Sequence, residues 1–104
     1  MARFDVFANP SAAERKHTPY VVDVQNDYID ALASRVVIPL RRESVMPARA
    51  RNLNPSFTVG ADRVVLDTAS MGAVPVSVLR KAVGNLGSDR SNIQEALDTL
   101  FGAF

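Results

Sequence analysis

Few side chains in this chain could do chemistry, and they lie far apart in the sequence. His17 is the only histidine and there is no cysteine, which excludes disulfides, thiolate nucleophiles and Cys-based metal sites. The segment around His17 is rich in turn-forming residues and offers no evident nucleophile for a base to activate. We therefore interpret His17 as a surface residue.

Three aspartates, Asp23, Asp27 and Asp30, lie close enough in sequence to suggest a cation site. The glycine at the centre of an EF-hand loop is missing, however, and no glutamate follows at the twelfth position. Gly84 and Gly87 lack the spacing and the partner lysine of a phosphate-binding loop. We predict solvated loop acids, no metal site and no cofactor.

The segment from Arg41 to Arg51 is basic and has no clear hydrophobic period. Its arginines could hold phosphates, but no aromatic residues are interleaved among them to stack on bases. The pattern predicts a solvated loop that includes up to one turn of helix. Taken together, these residues favour a binding module over an enzyme.

Length and composition indicate one globular domain over residues 1–104, with 47% apolar and 22% charged residues. Twelve lysines and arginines nearly balance eleven aspartates and glutamates, so no strong field draws the chain to nucleic acid or to an anionic membrane. The N-terminal stretch has no apolar run long enough for a signal peptide or a spanning helix. We expect a cytoplasmic protein that binds no membrane and no specific nucleic-acid sequence.

Short strands are predicted to position these side chains. Residues 3–8 alternate between two faces, residues 20–25 do the same, and residues 35–40 are dense in β-branched side chains. The first two strands could pair as a hairpin with a long loop. Pro39 lacks an amide hydrogen, so it belongs at an edge, at a bulge or at the end of the third strand.

The second half of the chain predicts a hairpin and a further short strand. Residues 57–59 and 63–68 flank Gly60, which can supply the positive φ that a tight turn needs. Another strand is expected around residues 71–74. A helical turn is expected after Pro75, with Val76, Leu79 and Val83 on one side, and it is expected to end at Gly84 and Gly87. The whole pattern indicates a small, mostly antiparallel β-barrel or sandwich with one terminal helix.

The C-terminal segment predicts an amphipathic helix that starts near Ser91. Ser91 and Gln94 have the spacing of a capping box, and Asp98 lies beside the apolar stripe. The stripe itself has five members: Ile93, Leu97, Leu100, Phe101 and Phe104. Exposing both phenylalanines would forfeit a sizeable part of a small domain's stability, so they either close the core or meet a partner.

Four of these pieces, in order and at similar spacing over nearly the whole chain, resemble the CcdB family of toxins. They are residues 22–27 (VDVQND), residues 37–40 (VIPL), residues 73–79 (AVPVSVL) and the apolar helix tip. Residues 4–7 also fit the family's first strand, and Gly60 falls where its hairpin turn is expected.

The resemblance implies a mainly β fold with a C-terminal α-helix, an SH3-like β-barrel of the CcdB/MazF toxin type, assembled as a homodimer. It also implies the toxin of a type II toxin–antitoxin system. Such a toxin binds the A subunit of DNA gyrase, traps the complex with cleaved DNA, and is neutralised by a CcdA-like antitoxin. A topoisomerase poison of this kind makes and breaks no covalent bond itself. The resemblance therefore implies that this chain is not an enzyme.

The resemblance also assigns target-binding residues. The family's target-binding loop falls on Tyr28 and Ile29, and its helix tip falls on Asp98, Phe101, Gly102, Ala103 and Phe104. Where the family pattern has a tryptophan this chain has Gly102, and where it has an asparagine this chain has Asp98. Tryptophan is a frequent interface anchor, so this difference bears directly on target binding.

Two alternatives therefore stay open. The chain could keep the CcdB fold and bind an antitoxin while poisoning gyrase weakly or not at all, because of Gly102 and Asp98. It could also be an endoribonuclease like the MazF and Kid toxins, with Asp23, Asp67 and the Arg41 to Arg51 loop as its acids and bases.

Overall fold

The computed structural model describes residues 2–27, 32–46 and 49–102. The strands in these ranges are β1 (Asp5–Ala8), β2 (Tyr20–Asp23), β3 (Ser34–Arg42), β4 (Ser56–Val59), β5 (Asp62–Leu66), β6 (Gly72–Pro75) and β7 (Gly84–Asn85). The helix is α1 (Arg90–Phe101), and short 3-10 turns connect several strands. This mainly β architecture with a C-terminal helix confirms the predicted fold class.

A single antiparallel sheet curls into a nearly closed barrel. Its strands follow the order β4-β5-β3-β2-β1-β7, and β6 pairs with β3 off this path. β1 and β2 form the expected hairpin, with Val6 opposite Val22. The long strand β3 is the junction, because one of its edges pairs with β6 through residues 34–37 and with β5 through residues 40–42.

The central strands bury apolar side chains on both faces, not on one. In β2, Val22 faces the barrel core while Val21 belongs to a second, outer cluster with Phe7 and Val37. Side chains alternate along a strand, so two consecutive buried valines require a cover on each side of the sheet. Leu79 supplies that cover on the outer side, with Val74 and Ala82 partly buried beside it.

Pro39 lies inside β3 and not at its end. Its carbonyl accepts a hydrogen bond from the backbone N–H of Asp67 at 3.0 Å, so its backbone faces away from β2. On that side the pairing with β6 has ended at Val37 and the pairing with β5 starts at Leu40. The missing amide hydrogen therefore falls at the gap between two partner strands.

The β4–β5 hairpin turns at Gly60, whose φ of +59° confirms the predicted use of a glycine there. The expected strand near residues 71–74 is β6. The helical turn predicted after Pro75 is present as a 3-10 turn over Val76–Val78, but it ends there and does not extend to Gly84, which enters β7. Val83 is 57% exposed and shares no buried stripe with Leu79.

Helix α1 packs on the barrel through Ile93 and Ala96, with Leu97 partly buried against the same core. The predicted capping box is wrong: Asp89 is the N-cap residue and no side chain caps the first turn. A 3-10 turn over Gly87–Asp89 leads directly into the helix, so the backbone is already helical before Arg90. Within the described ranges, no helix has the length and apolarity to cross a membrane.

Candidate functional site

The end of helix α1 presents an exposed aromatic side chain next to a carboxylate. Phe101 is 69% exposed, while Ile93 on the same helix is fully buried. Asp98 is half-buried, and its Oδ1 accepts a hydrogen bond from Gln94 Nε2 at 3.0 Å. Among the described members of the apolar stripe, only Ile93 and Leu97 pack on the core, so Phe101 lies on a surface and does not close it.

Gly102 ends the helix in a left-handed conformation, with φ +69° and ψ 44°. Its N–H donates to the Asp98 carbonyl, so the backbone of Asp98 also holds the last turn closed. A Cβ at this position would meet no described atom within 4 Å. A residue other than glycine would therefore be strained by the backbone and not by a steric clash.

The structure brings together three of the seven predicted target-binding residues: Asp98, Phe101 and Gly102. The other four, Tyr28, Ile29, Ala103 and Phe104, lie outside the described residues. The chain that leads to Tyr28 and Ile29 is described up to Asp27. The side chain of Asp27 is 58% exposed.

A buried ion pair lies at the start of that segment. Arg35 Nε donates to Asp23 Oδ2 at 2.7 Å, and the two side chains are 1% and 0% exposed. The other Asp23 oxygen accepts from the Gln25 N–H at 2.9 Å, and Arg35 Nη2 donates to the Gln25 carbonyl at 3.3 Å. Arg35 Nη2 also lies 3.7 Å from Asp27 Oδ1. The prediction that Asp23 is a solvated loop acid is therefore wrong.

Arg3 lies between this segment and the helix. Its Nε donates to the Val24 carbonyl at 3.0 Å, and its Nη2 reaches Gln94 Oε1 at 3.4 Å. An open groove of about 610 Å³ runs along this contact, with Asp27 and Arg90 in its lining. A smaller groove of about 280 Å³ covers the outer face near Val74. None of the described residues predicted to bind the target lines either groove.

The arginines at the end of β3 are engaged within the chain. Arg41 Nε lies 2.6 Å from Asp67 Oδ2, and Arg42 Nη1 lies 2.7 Å from Asp62 Oδ1. The segment predicted as a loop from Arg41 thus begins two residues later, after β3 ends at Arg42, and a 3-10 turn over Glu43–Val45 follows. Further along this loop, Arg49 lies 3.5 Å from Glu43, at the surface.

The Asp62 carboxylate also accepts a hydrogen bond from Tyr20 Oη at 2.7 Å. The bonds from Tyr20 and Arg42 lower the pKa of Asp62 below its usual value. The same hydrogen bond to Asp62, aided by partial burial, raises the pKa of Tyr20. This cluster joins β2, β3 and the β4–β5 hairpin.

The acids and bases of an endoribonuclease do not assemble as the alternative requires. Asp23 is fully buried against Arg35, so it cannot contact RNA while that pair is intact. Asp67 is 15% exposed and is bound to Arg41 and to Ser70 Oγ. In the described ranges no three His, Cys, Asp or Glu side chains form a metal-binding group, and His17 is exposed.

A family model described as CcdB protein matches residues 3–102, nearly the whole chain. The chain belongs to the CcdB family. Membership in the CcdB family supports a role as the toxin of a toxin–antitoxin pair.

Sequence reasoning missed the Asp23–Arg35 pair and the bridging position of Arg3. A signal for the pair was present, because Asp23 follows the apolar residues of β2 and Arg35 precedes the apolar residues of β3, in strands that must be buried. An acidic residue and a basic residue beside the apolar runs of two paired strands predict a partner for each other. Arg3 has no such signal, since its contacts depend on how the N-terminus meets the helix.

Proposed function

We propose that this CcdB-family chain binds the A subunit of DNA gyrase and traps its complex with cleaved DNA. Exposure of Phe101 is the single observation that carries the proposal. The helix buries its other side with Ile93 and Ala96, so nothing in the described fold uses the Phe101 ring. Aromatic side chains at the centre of an interface commonly supply much of its binding energy.

The chemistry of the tip suits a binding role and not a reaction. Asp98 and Phe101 combine one carboxylate with one aromatic ring that can serve as an anchor. A homodimer would present two copies of this tip related by a two-fold axis, which matches a target with the same symmetry. The toxin would act by holding an enzyme in one state and would not itself change a covalent bond.

A CcdA-like antitoxin completes the proposal. We expect a short partner that is partly disordered when free, with apolar anchors and with acidic residues that meet the arginines of the toxin. Arg41 and Arg42 already pair with Asp67 and Asp62, so an arginine without an ion pair in the described part of the chain, such as Arg51, is better placed to attract it. Binding that weakens as salt is added would support this electrostatic part.

Titration of the purified chain with the gyrase A subunit tests the proposal directly. The expected result is saturable binding that falls at least about thirtyfold in Phe101→Ala, the loss typical of an interface anchor. Val83→Ala is the matched control, because Val83 is also an exposed apolar side chain and lies outside the proposed surface. Equal affinity for both variants, or no binding by the unchanged chain, contradicts the proposal.

Gly102 favours a second candidate, in which the chain binds its antitoxin but poisons gyrase weakly or not at all. The left-handed backbone at φ +69° suits glycine, and the tryptophan of the family pattern would have to be accommodated there under strain. Gly102→Trp supplies the anchor, and Gly102→Ala supplies the same strain without it. A gain of gyrase inhibition in the first variant alone would support the second candidate, whereas full inhibition by the unchanged chain would contradict it.

A further inference from the structure

We propose that Arg3 is a positioning residue that couples the segment 24–27, which leads to the predicted target-binding residues Tyr28 and Ile29, to the end of helix α1. The inference rests on the gyrase-binding role proposed above for Asp98 and Phe101. Arg3 belongs to neither part, yet it contacts the first part directly and reaches the second through Gln94. Its guanidinium therefore bridges them.

The contacts of Arg3 with the segment are short. Its backbone N–H donates to Asp27 Oδ1 at 2.7 Å, and its Nε donates to the Val24 carbonyl at 3.0 Å. The far side of the segment is held by Arg35, which is anchored on Asp23. The segment thus lies between a buried arginine on one side and Arg3 on the other.

The contact of Arg3 with the helix continues to a proposed target-binding residue. Arg3 Nη2 donates to Gln94 Oε1 at 3.4 Å, and Gln94 Nε2 donates to Asp98 Oδ1 at 3.0 Å. A carboxamide has one acceptor end and one donor end. Because the guanidinium holds the acceptor end, the donor end of Gln94 is turned towards Asp98.

The backbone next to Arg3 is built to aim its side chain. Phe4 has φ +72°, a left-handed conformation that is rare for a bulky residue. Two short backbone hydrogen bonds hold it there: its N–H donates to the Asp23 carbonyl at 2.6 Å, and its carbonyl accepts from Leu86 at 2.9 Å. The Phe4 ring lies 4.7 Å below the Arg3 guanidinium, which stacks over it. Rare backbone geometry kept by surrounding contacts is typical of sites with a function.

The variant Arg3→Met distinguishes the contribution of the Arg3 side chain from that of its backbone hydrogen bond. The variant keeps the N–H that bonds Asp27 and keeps an unbranched side chain, but it loses both guanidinium bonds. The matched control is Arg80→Met, because Arg80 is exposed and makes no hydrogen bond or ion pair in the described part of the chain. Both variants change the net charge equally.

The first readout needs no gyrase. In amide and side-chain NMR spectra, Arg3→Met is expected to shift the resonances of Val24 and Asp27 together with those of Gln94 and Asp98, while the spectrum of β4 and β5 stays unchanged. Arg80→Met is expected to leave both sets in place. Shifts confined to residues next to position 3 in sequence would overturn the coupling, whether or not the chain binds gyrase.

The second readout is a double-mutant cycle in gyrase A-subunit binding. We expect Arg3→Met to weaken binding about threefold to tenfold, and to weaken it no further in a Gln94→Ala background. Arg3→Lys is expected to restore little of the binding. A single ammonium group cannot bond the Val24 carbonyl and Gln94 Oε1 at once, as the two nitrogens of the guanidinium do. Additive losses, or full binding by Arg3→Met, would overturn the inference. Failure of the unchanged chain to bind gyrase would overturn the proposed function instead, and the NMR readout would still decide the coupling.

Discussion

The buried Asp23–Arg35 pair and the tip of helix α1 solve opposite problems. At the pair, two charges are removed from water and held by short hydrogen bonds inside the fold. At the tip, an aromatic ring that would gain from burial is left 69% exposed. Losing one partner of the buried pair would destabilise the fold, because the other charge would stay buried alone. The exposed ring already forgoes the free energy that its burial would contribute. The comparison indicates that the pair serves the fold, whereas the exposure of the tip is the basis of its proposed role in binding a partner.

Breaking the pair should give the largest effect on stability. Arg35→Met leaves the Asp23 carboxylate buried without its cation, which is expected to lower the free energy of unfolding by about 3–5 kcal/mol. Urea denaturation measures it. Adding Asp23→Leu should recover part of the loss, because no buried charge is then left without a partner. The original pair is itself incompletely satisfied, since Arg35 Nη1 has no hydrogen-bond partner among the described residues. A loss below about 1 kcal/mol for Arg35→Met would show that the pair is not important for the fold.

Two substitutions on helix α1 sharpen the contrast between its faces. Ile93→Ala removes a fully buried side chain and should lower the free energy of unfolding by about 2–4 kcal/mol. Phe101→Ala removes a larger but exposed side chain and should change stability by no more than about 0.5 kcal/mol. Thermal melts of the two variants check the difference. Similar losses from both would mean that the Phe101 ring is buried in solution.

Gly102 tests how the tip is shaped. Gly102→Ala should lower the free energy of unfolding by about 1 kcal/mol, because alanine is strained in a left-handed conformation that glycine adopts freely. Gly102→Asn should lose less, since asparagine tolerates this conformation better. Comparing the two by denaturation separates backbone strain from loss of a contact. If alanine stabilises the protein, the helix continues past Phe101 in solution.

The Tyr20–Asp62–Arg42 cluster should give the smallest effect, visible through pH. The pKa of Asp62 is lowered in the fold, so its contribution is present above the unfolded value of about 3.9 and is lost as the pH falls. The pKa of Tyr20 is raised, so its contribution is present below the unfolded value of about 10 and is lost as the pH rises. Tyr20→Phe should therefore differ most from the unchanged chain at neutral pH. Denaturation midpoints at three pH values check this, and a difference that grows below pH 4 would contradict it.

The sequence predicts the strands well because their signal is local. Alternation placed β1 and β2 close to their observed bounds, the density of β-branched residues did the same for β3, and Gly60 marked the β4–β5 turn. The helical turn predicted after Pro75 shows the limit of this reasoning, because it ends at Val78 and does not continue to Gly84. Val76 and Leu79 have helical spacing, but Leu79 instead covers the outer face of the sheet, a tertiary demand that no local pattern shows.

The candidate site was only partly predictable for the same reason. Asp98, Phe101 and Gly102 came from a family resemblance, and the structure adds that Phe101 is exposed and that Gly102 is left-handed. The core stripe of the helix includes Ala96, whose small side chain gives little signal, and it leaves Phe101 outside. The contacts of Arg3 join residues up to 91 positions apart, and a window along the sequence cannot find such contacts.

The proposed function requires that the exposed tip of helix α1 acts on gyrase. The most direct measurement is a DNA cleavage assay with purified gyrase, in which trapped cleaved complexes are counted after protein denaturation. We expect the unchanged chain to accumulate cleaved DNA, Val83→Ala to do so equally, and Phe101→Ala not to do so. Cleaved DNA at the same level with Phe101→Ala, or no cleaved DNA with the unchanged chain, would contradict this role of the tip.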